Sequence, residues 1–185
     1  MKLFNKPAVN TVIQKTLKQL LLKPAVLKQV FNLYSPFRGA GVKVRQIASD
    51  YSEVFVEMPL TRRNRNFVGT QFGGSLYSMA DPFFMIMLMQ RLGSRYLVWD
   101  QAASIRFVAP GKGRVSARFK VGEEDIQNIA AQAASGNKVL YTFNAQICHD
   151  DGSVVAEVSK VLYVRLKPEF RPATVANPSA QEVVA

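Results

Sequence analysis

Asn66, Gly69-Thr70, Gly73-Gly74 and, seven positions after the second of those glycines, Asp81 are residue types at spacings that can handle a carbonyl group. Paired glycines just ahead of an apolar segment offer backbone N–H donors at a helix start. A carboxylate two turns further on offers an acid, a base or a nucleophile. Acyl transfer needs both, donors for the carbonyl oxygen and a group that activates or supplies the nucleophile. Other catalytic templates fit poorly. Gly73-Gly74-Ser75-Leu76-Tyr77 begins like a nucleophile elbow but carries Tyr at its fifth position. Gly39-Ala40-Gly41 lacks the third glycine of a dinucleotide loop, and no Gly-Lys-Ser/Thr occurs. The lone His149 falls in a hairpin turn beside Asp150 and reads as a solvated turn residue.

Each of these residues also has a plainer reading. A carboxylate among apolar neighbours is expected to be paired or functional, and burial would raise its pKa toward proton transfer. Asp81-Pro82 is equally the pattern of an N-cap followed by proline at the first helical position. Gly73-Gly74 can serve close packing, Asn66 can be a turn residue, and Arg62, Arg63 and Arg65 can be a solvated loop rather than a phosphate site. The joint spacing, not any single residue, carries the signal.

Hydrophobic periodicity supplies the elements that would position this group. Residues 10–34 read as helix, with one apolar stripe of Ile13, Leu17, Leu20 and Leu21 and another of Leu27, Val30, Phe31 and Tyr34. Pro24 starts the second of two helices, and Lys15, Lys18, Lys23 and Lys28 stay in solvent. Pro36, Gly39 and Gly41 mark a loop. Val42, Val44, Val54, Val56 and Met58 alternate with polar residues as strands, and a loop rich in Arg and Asn runs from Thr61 to Thr70. The segment from Leu76 to Leu92 is apolar on nearly every side, which predicts one long buried helix closed by Gly93. Strands return around Ile105 and Phe107. Val115, Ala117, Phe119 and Val121 predict a clean half-buried strand with Arg114, Arg118 and Lys120 outward. A short helix or long loop over 123–135, a strand through Tyr141, Phe143, Ala145 and Ile147, a turn at Asp150-Asp151-Gly152, and a strand from Val154 to Val164 follow. The order predicts an α+β fold, with a curved antiparallel sheet wrapped around a central helix. Three regions are expected: an N-terminal helical extension over 1–41, the main domain over 42–166 and a loosely ordered tail over 167–185.

Bulk properties narrow the function classes. The chain has 185 residues, 48% of them hydrophobic and 20% charged, enough for one domain with a real core. The formal net charge of +11 implies an anionic partner: nucleic acid, a membrane surface, an acidic carrier protein or a phosphorylated small molecule. One cysteine leaves no intramolecular disulfide, and with a single histidine no metal site of the usual His/Cys zinc type is expected. No secretory signal is evident. The longest apolar run, Phe83 to Met89, is far short of the ~20 residues of a spanning helix. A soluble, cytoplasmic protein without a transmembrane segment is expected.

The spacing Asn66, Gly69-Thr70, Phe72-Gly73-Gly74, Asp81 resembles the hotdog-fold thioesterases, in particular their phenylacetyl-CoA thioesterase-like branch, where His-Gly-Gly stands at 72–74. Arg106-Phe107-Val108-Ala109-Pro110-Gly111 resembles the end of that family's strand after the helix, and the resemblance spans roughly residues 42–166. The Phe-Gly-Gly and Asp-Pro-Phe segments are also similar to a less characterised hotdog family. The resemblance implies a hotdog fold, in a homodimer or tetramer with sites at the subunit interface. It implies hydrolysis of an acyl-CoA or acyl-carrier-protein thioester, coenzyme A being part of the substrate and no further cofactor being required. The Gly73 and Gly74 N–H groups would polarise the thioester carbonyl, Asn66 would orient that carbonyl or the water, and Asp81 of the partner subunit would be base or nucleophile. Thr70, Phe72, Ser75, Arg63 and Arg65 are the further substrate-binding candidates. Phe72 departs from the motif histidine, and Pro82 directly follows the candidate catalytic carboxylate. Two alternatives stand beside this reading: an acyl- or acyl-CoA-binding hotdog protein without turnover, and a basic binder of nucleic acid or membrane surfaces. Specific nucleic-acid binding is not expected, because the basic residues are scattered rather than interleaved with aromatics.

Overall fold

Two short helices lead into the sheet in the described part of the chain, residues 20–172 of a computed structural model. The first, α1 (Pro24–Leu33), begins at Pro24, where a missing N–H costs nothing. The apolar stripe placed at Ile13 and Leu17 and the tail beyond residue 172 lie outside the described residues. The expected loop at Pro36–Gly41 is instead a second helix, α2 (Ser35–Ala40). Pro36 sits in its first turn, where proline is tolerated, and Gly41 ends it in the left-handed conformation at φ 80°. Both helices are tied to the domain. Leu27 and Phe37 are buried, and the Asn32 amide brackets Val44, donating to its carbonyl and accepting from its N–H.

Strands β1 (Lys43–Ile47) and β2 (Glu53–Met58) follow, then the loop to α3 (Gly73–Ser78) and α4 (Phe83–Leu92). The expected continuous central helix is thus present in two segments. Pro82 removes the N–H that would bond to the turn before it and biases Asp81 away from helical geometry, so the chain restarts at Phe83. Gly93 closes it, as expected. The remaining elements are β3 (Tyr96–Phe107), β4 (Val115–Lys120), α5 (Glu123–Ala133), β5 (Val139–His149) and β6 (Val154–Leu166).

The six strands form one curved antiparallel sheet in the order β1-β2-β4-β5-β6-β3. Period-two burial sets which side of each strand meets the helix. Val115, Ala117, Phe119 and Val121 are buried as expected, and Arg114, Arg118 and Lys120 point outward. Phe83, Phe84 and Phe119 form the centre of the core with ring centroids 5.1 and 5.3 Å apart, and Phe84 stacks on Phe143 at 4.9 Å. Each fully buried side chain of this kind contributes about 1.5–3 kcal/mol. The wide apolar surface of the central helix is thereby explained: the sheet wraps it on several sides.

β3 is longer than its sequence signal around Ile105 and Phe107. It starts at Tyr96, pairs with β6 on one side only, and carries a bulge between Asp100 and Ala102. A bulge inserts one residue and flips the side-chain phase, which hides a strand from a simple alternation reading. Among the described residues no strand pairs with its other edge, a row of N–H and C=O groups.

Candidate active site

The loop before α3 builds a cleft of about 610 Å³ lined by Asn66, Thr70, Gln71, Gly73, Phe107 and Lys112, among others. Gln71 is its anchor. Only 3% exposed, it donates through Nε2 to the carbonyls of Met58 (3.1 Å) and Gly113 (3.0 Å), and its N–H bonds to Gly111 at 2.8 Å. Gly111 is required there, because a Cβ would meet Gln71 Cγ at 2.9 Å. The Asn66 side chain organises the loop itself. Its Oδ1 accepts from the N–H groups of Val68 (3.1 Å) and Thr70 (2.9 Å), and its Nδ2 donates to Thr70 Oγ1 (2.9 Å) and the Gln71 carbonyl (3.2 Å). That is the turn chemistry of an Asx residue, and it presents Thr70 and Gly73 to the cleft.

Gly73 and Gly74 are the first two residues of α3, so their N–H groups have no intrahelical acceptor. Close approach accounts for both glycines. A Cβ on Gly73 would meet Phe107 Cζ at 2.9 Å, and one on Gly74 would run into the Phe72 ring. Phe72 is half exposed and covers Gly74 rather than lining the cleft. Ser75 is buried in the first turn. Arg63 and Arg65 are exposed and do not line the cleft; Arg65 forms an isolated bridge with Gln71 across the loop.

Asp81 lies elsewhere. It borders a second cavity of about 420 Å³ between the N-terminal helices and the central helix, lined by Phe31, Tyr34, Phe37, Tyr77 and Pro82. The capping expectation for Asp81 is not met. Pro82 is the N-cap of α4, no side chain caps it, and the first bond of the helix runs from the Ile86 N–H to the Pro82 carbonyl. The Asp81 carboxylate instead accepts from Lys160 Nζ at 3.1 Å. Lys160 is fully buried and holds Asp100 Oδ2 at 3.0 Å on its other side, with the Tyr77 ring centroid 5.7 Å away. Burial alone would pull the Lys160 pKa down. Hydrogen bonds to Asp100 and Asp81, with their charges, outweigh it and hold the ammonium above the ordinary lysine range. Burial pushes the Asp100 carboxyl up, against the opposing bond from Lys160, and its Oδ1 is buried with no partner among the described residues.

Lys160 and Asp100 are the members that residue motifs do not reveal. A signal for Lys160 exists nonetheless: Ala156, Val158, Leu162 and Val164 place every second residue of β6 inside, and Lys160 occupies that buried phase. A further cavity, about 1130 Å³, is an open groove on the outer face of the sheet and is not lined by Asp81, Asp100 or Lys160. Its cations are tied up in pairs, Arg106 with Glu157, Arg114 with Asp150 and Arg118 with Glu53. No helix among the described residues is long and apolar enough to cross a membrane.

Solved structures share this architecture. A Pseudomonas aeruginosa protein of unknown function described as a probable thioesterase superposes with a TM-score of 0.66 at 20% identity, over 80% of this chain and 96% of its own. A putative thioesterase from Shewanella oneidensis gives 0.58 at 21% identity, over 79% and 98%. The PaaI protein of E. coli, from the phenylacetic acid degradation operon, gives 0.52 at 15% identity, over 75% and 88%. The fold is the hotdog fold of these thioesterase-like proteins. No curated protein matches the sequence. A family model described as a domain of unknown function, DUF4442, matches residues 23–164, and the chain belongs to that family.

Proposed function

We propose that the protein hydrolyses an acyl thioester, carried on coenzyme A or on an acyl carrier protein, at a site completed by a second copy of the chain. The observation that supports this reading is the placement of the two halves of the site. The cleft of Asn66, Thr70 and Gly73 and the carboxylate of Asp81 belong to different cavities of one chain, and the cleft ends on β3, whose outer edge has no partner among the described residues. Phe107 at the end of β3 walls the cleft, and Asp100 in its middle is tied to Asp81 through Lys160. Antiparallel pairing of two β3 edges would satisfy the free backbone groups and carry Asp81 of the partner subunit toward the cleft.

In that arrangement the Gly73 and Gly74 N–H groups polarise the thioester carbonyl. Asp81 of the partner subunit takes a proton from the attacking water, the tetrahedral intermediate collapses, and the thiolate leaves and recovers the proton. Lys112 at the cleft supplies charge for the phosphates of coenzyme A or for an acidic carrier. Coenzyme A enters as substrate, and the chemistry requires no other cofactor. A soluble homodimer or tetramer in the cytoplasm is the setting this reading implies.

One observation favours the alternative of an acyl-binding protein without turnover: both Asn66 amide hydrogens are used within its own loop, so none is free for a substrate. Thiol release across a panel of acyl-CoAs separates the two. The shared site is tested by complementation. Asp81→Asn and a cleft-filling Gly73→Phe should each be inactive, and co-expression should restore roughly a quarter of the sites through mixed dimers. No restoration in mixed dimers removes the shared site, and acyl-CoA binding without thiol release supports the binding protein.

A further inference from the structure

We propose that Lys160 is a positioning residue for Asp81, fixing the carboxylate at the helix break for thioester hydrolysis; the inference rests on the hydrolytic reading above. The break itself creates the need. Pro82 ends the helical hydrogen bonding, Asp81 caps nothing, and among the described residues Lys160 is the one group that bonds its carboxylate. The side chain of Asp81 is 53% exposed, so without an anchor it would sample solvent rotamers freely. Lys160 removes that freedom from the inside. Its ammonium is 0% exposed, it rises from the middle of β6 between Ala103 of β3 and Phe143 of β5, and its stem is fixed by the core.

Asp100 supplies a second negative charge beside the Lys160 ammonium. A lysine paired with Asp81 alone would make a neutral couple. With Asp100 at 3.0 Å the buried charges of Lys160 and Asp100 offset each other, and the ionised triad carries one net negative charge. Its exposed member is Asp81. Among the described residues three elements face the ammonium: the helix break through Asp81, β3 through Asp100, and α3 through the Tyr77 ring. Among the described residues only Oδ1 of Asp81 is bonded, which leaves Oδ2 for a water.

Substitution of Lys160 by Met alone strips Asp100 of its partner and destabilises the fold for reasons unrelated to catalysis. The informative variant is therefore Lys160→Met/Asp100→Asn, which removes both buried charges together. Thiol release from an acyl-CoA that the wild type hydrolyses is measured as kcat and KM, beside near-UV circular dichroism and the melting temperature. The folded double variant should lose about 10²-fold in kcat, the scale of a misplaced reacting group, with KM within about threefold. Lys160→Arg, which keeps a cationic donor, should recover part of the loss. A folded double variant with wild-type kcat, or a loss confined to KM, overturns this inference and leaves the hydrolytic reading standing. A wild type that releases no thiol from any acyl-CoA or acyl carrier protein overturns both.

Discussion

The Phe107 ring occupies the space that a side chain on Gly73 would need: a Cβ there would come within 2.9 Å of Phe107 Cζ. The end of β3 and the start of the central helix therefore share one wall of the cleft. Because Phe107 is 55% exposed, its ring can swing aside. Gly73→Ala should change stability by no more than about 0.5 kcal/mol, in the range of a surface substitution, while raising KM for acyl-CoA. Adding Phe107→Ala should restore KM. Steady-state kinetics beside thermal melts check both, and a Gly73→Ala protein with wild-type KM would mean the cleft does not take the substrate.

Asp81→Asn should lower kcat by about 10²–10⁴-fold, the usual contribution of general-base assistance, with KM and the circular dichroism spectrum close to wild type. The side chains are nearly equal in size, and Lys160 keeps Asp100 as its partner. Equal turnover by the two proteins would remove Asp81 from the mechanism.

Alkaline pH should weaken the fold through Lys160. Its folded-state pKa is raised, because the bonds and charges of Asp100 and Asp81 outweigh its burial. A raised folded pKa means the stabilisation is fully present below the ordinary lysine value of about 10.4 and is lost as pH rises through the higher folded value. Melting temperatures above pH 10 should fall more steeply for wild type than for Lys160→Met/Asp100→Asn. Parallel curves would show that the bridge does not titrate with folding.

In the proposed dimer, Ser104→Lys should separate the subunits. Ser104 is exposed on the edge strand, and a lysine repeated across a two-fold axis blunts strand pairing. Light scattering should report a monomer, and thiol release should disappear with the dimer. A monomeric wild type, or a monomeric variant at full activity, would contradict the shared site.

Phe119→Ala should cost about 3–5 kcal/mol, the range for removing a buried aromatic ring. Phe119 is fully buried and meets both Phe83 and Phe84. Urea denaturation gives the value directly, and a loss below ~1 kcal/mol would show that the site collapses around the missing ring.

Local chemistry in the sequence determined much of this protein. Period-two alternation placed Val115 to Val121 with the correct face inward, because a strand has only two faces. Pro24 and Gly93 marked true helix ends through their restricted or permissive backbones. The apolar excess of residues 76–92 required a sheet wrapped around them, and the Asn66–Gly74 spacing located the loop that forms the cleft. What the sequence left open depended on groups distant along the chain. Whether Asp81 capped a helix or met a charge could not be decided locally, since Lys160 stands 79 positions away and reaches it only when β6 lies under the central helix. The length of β3 was hidden by a bulge that inverts its alternation halfway. The division of Asn66 and Asp81 between two cavities is a property of the folded chain alone. Strand order is fixed by packing the whole core, and no short segment encodes it.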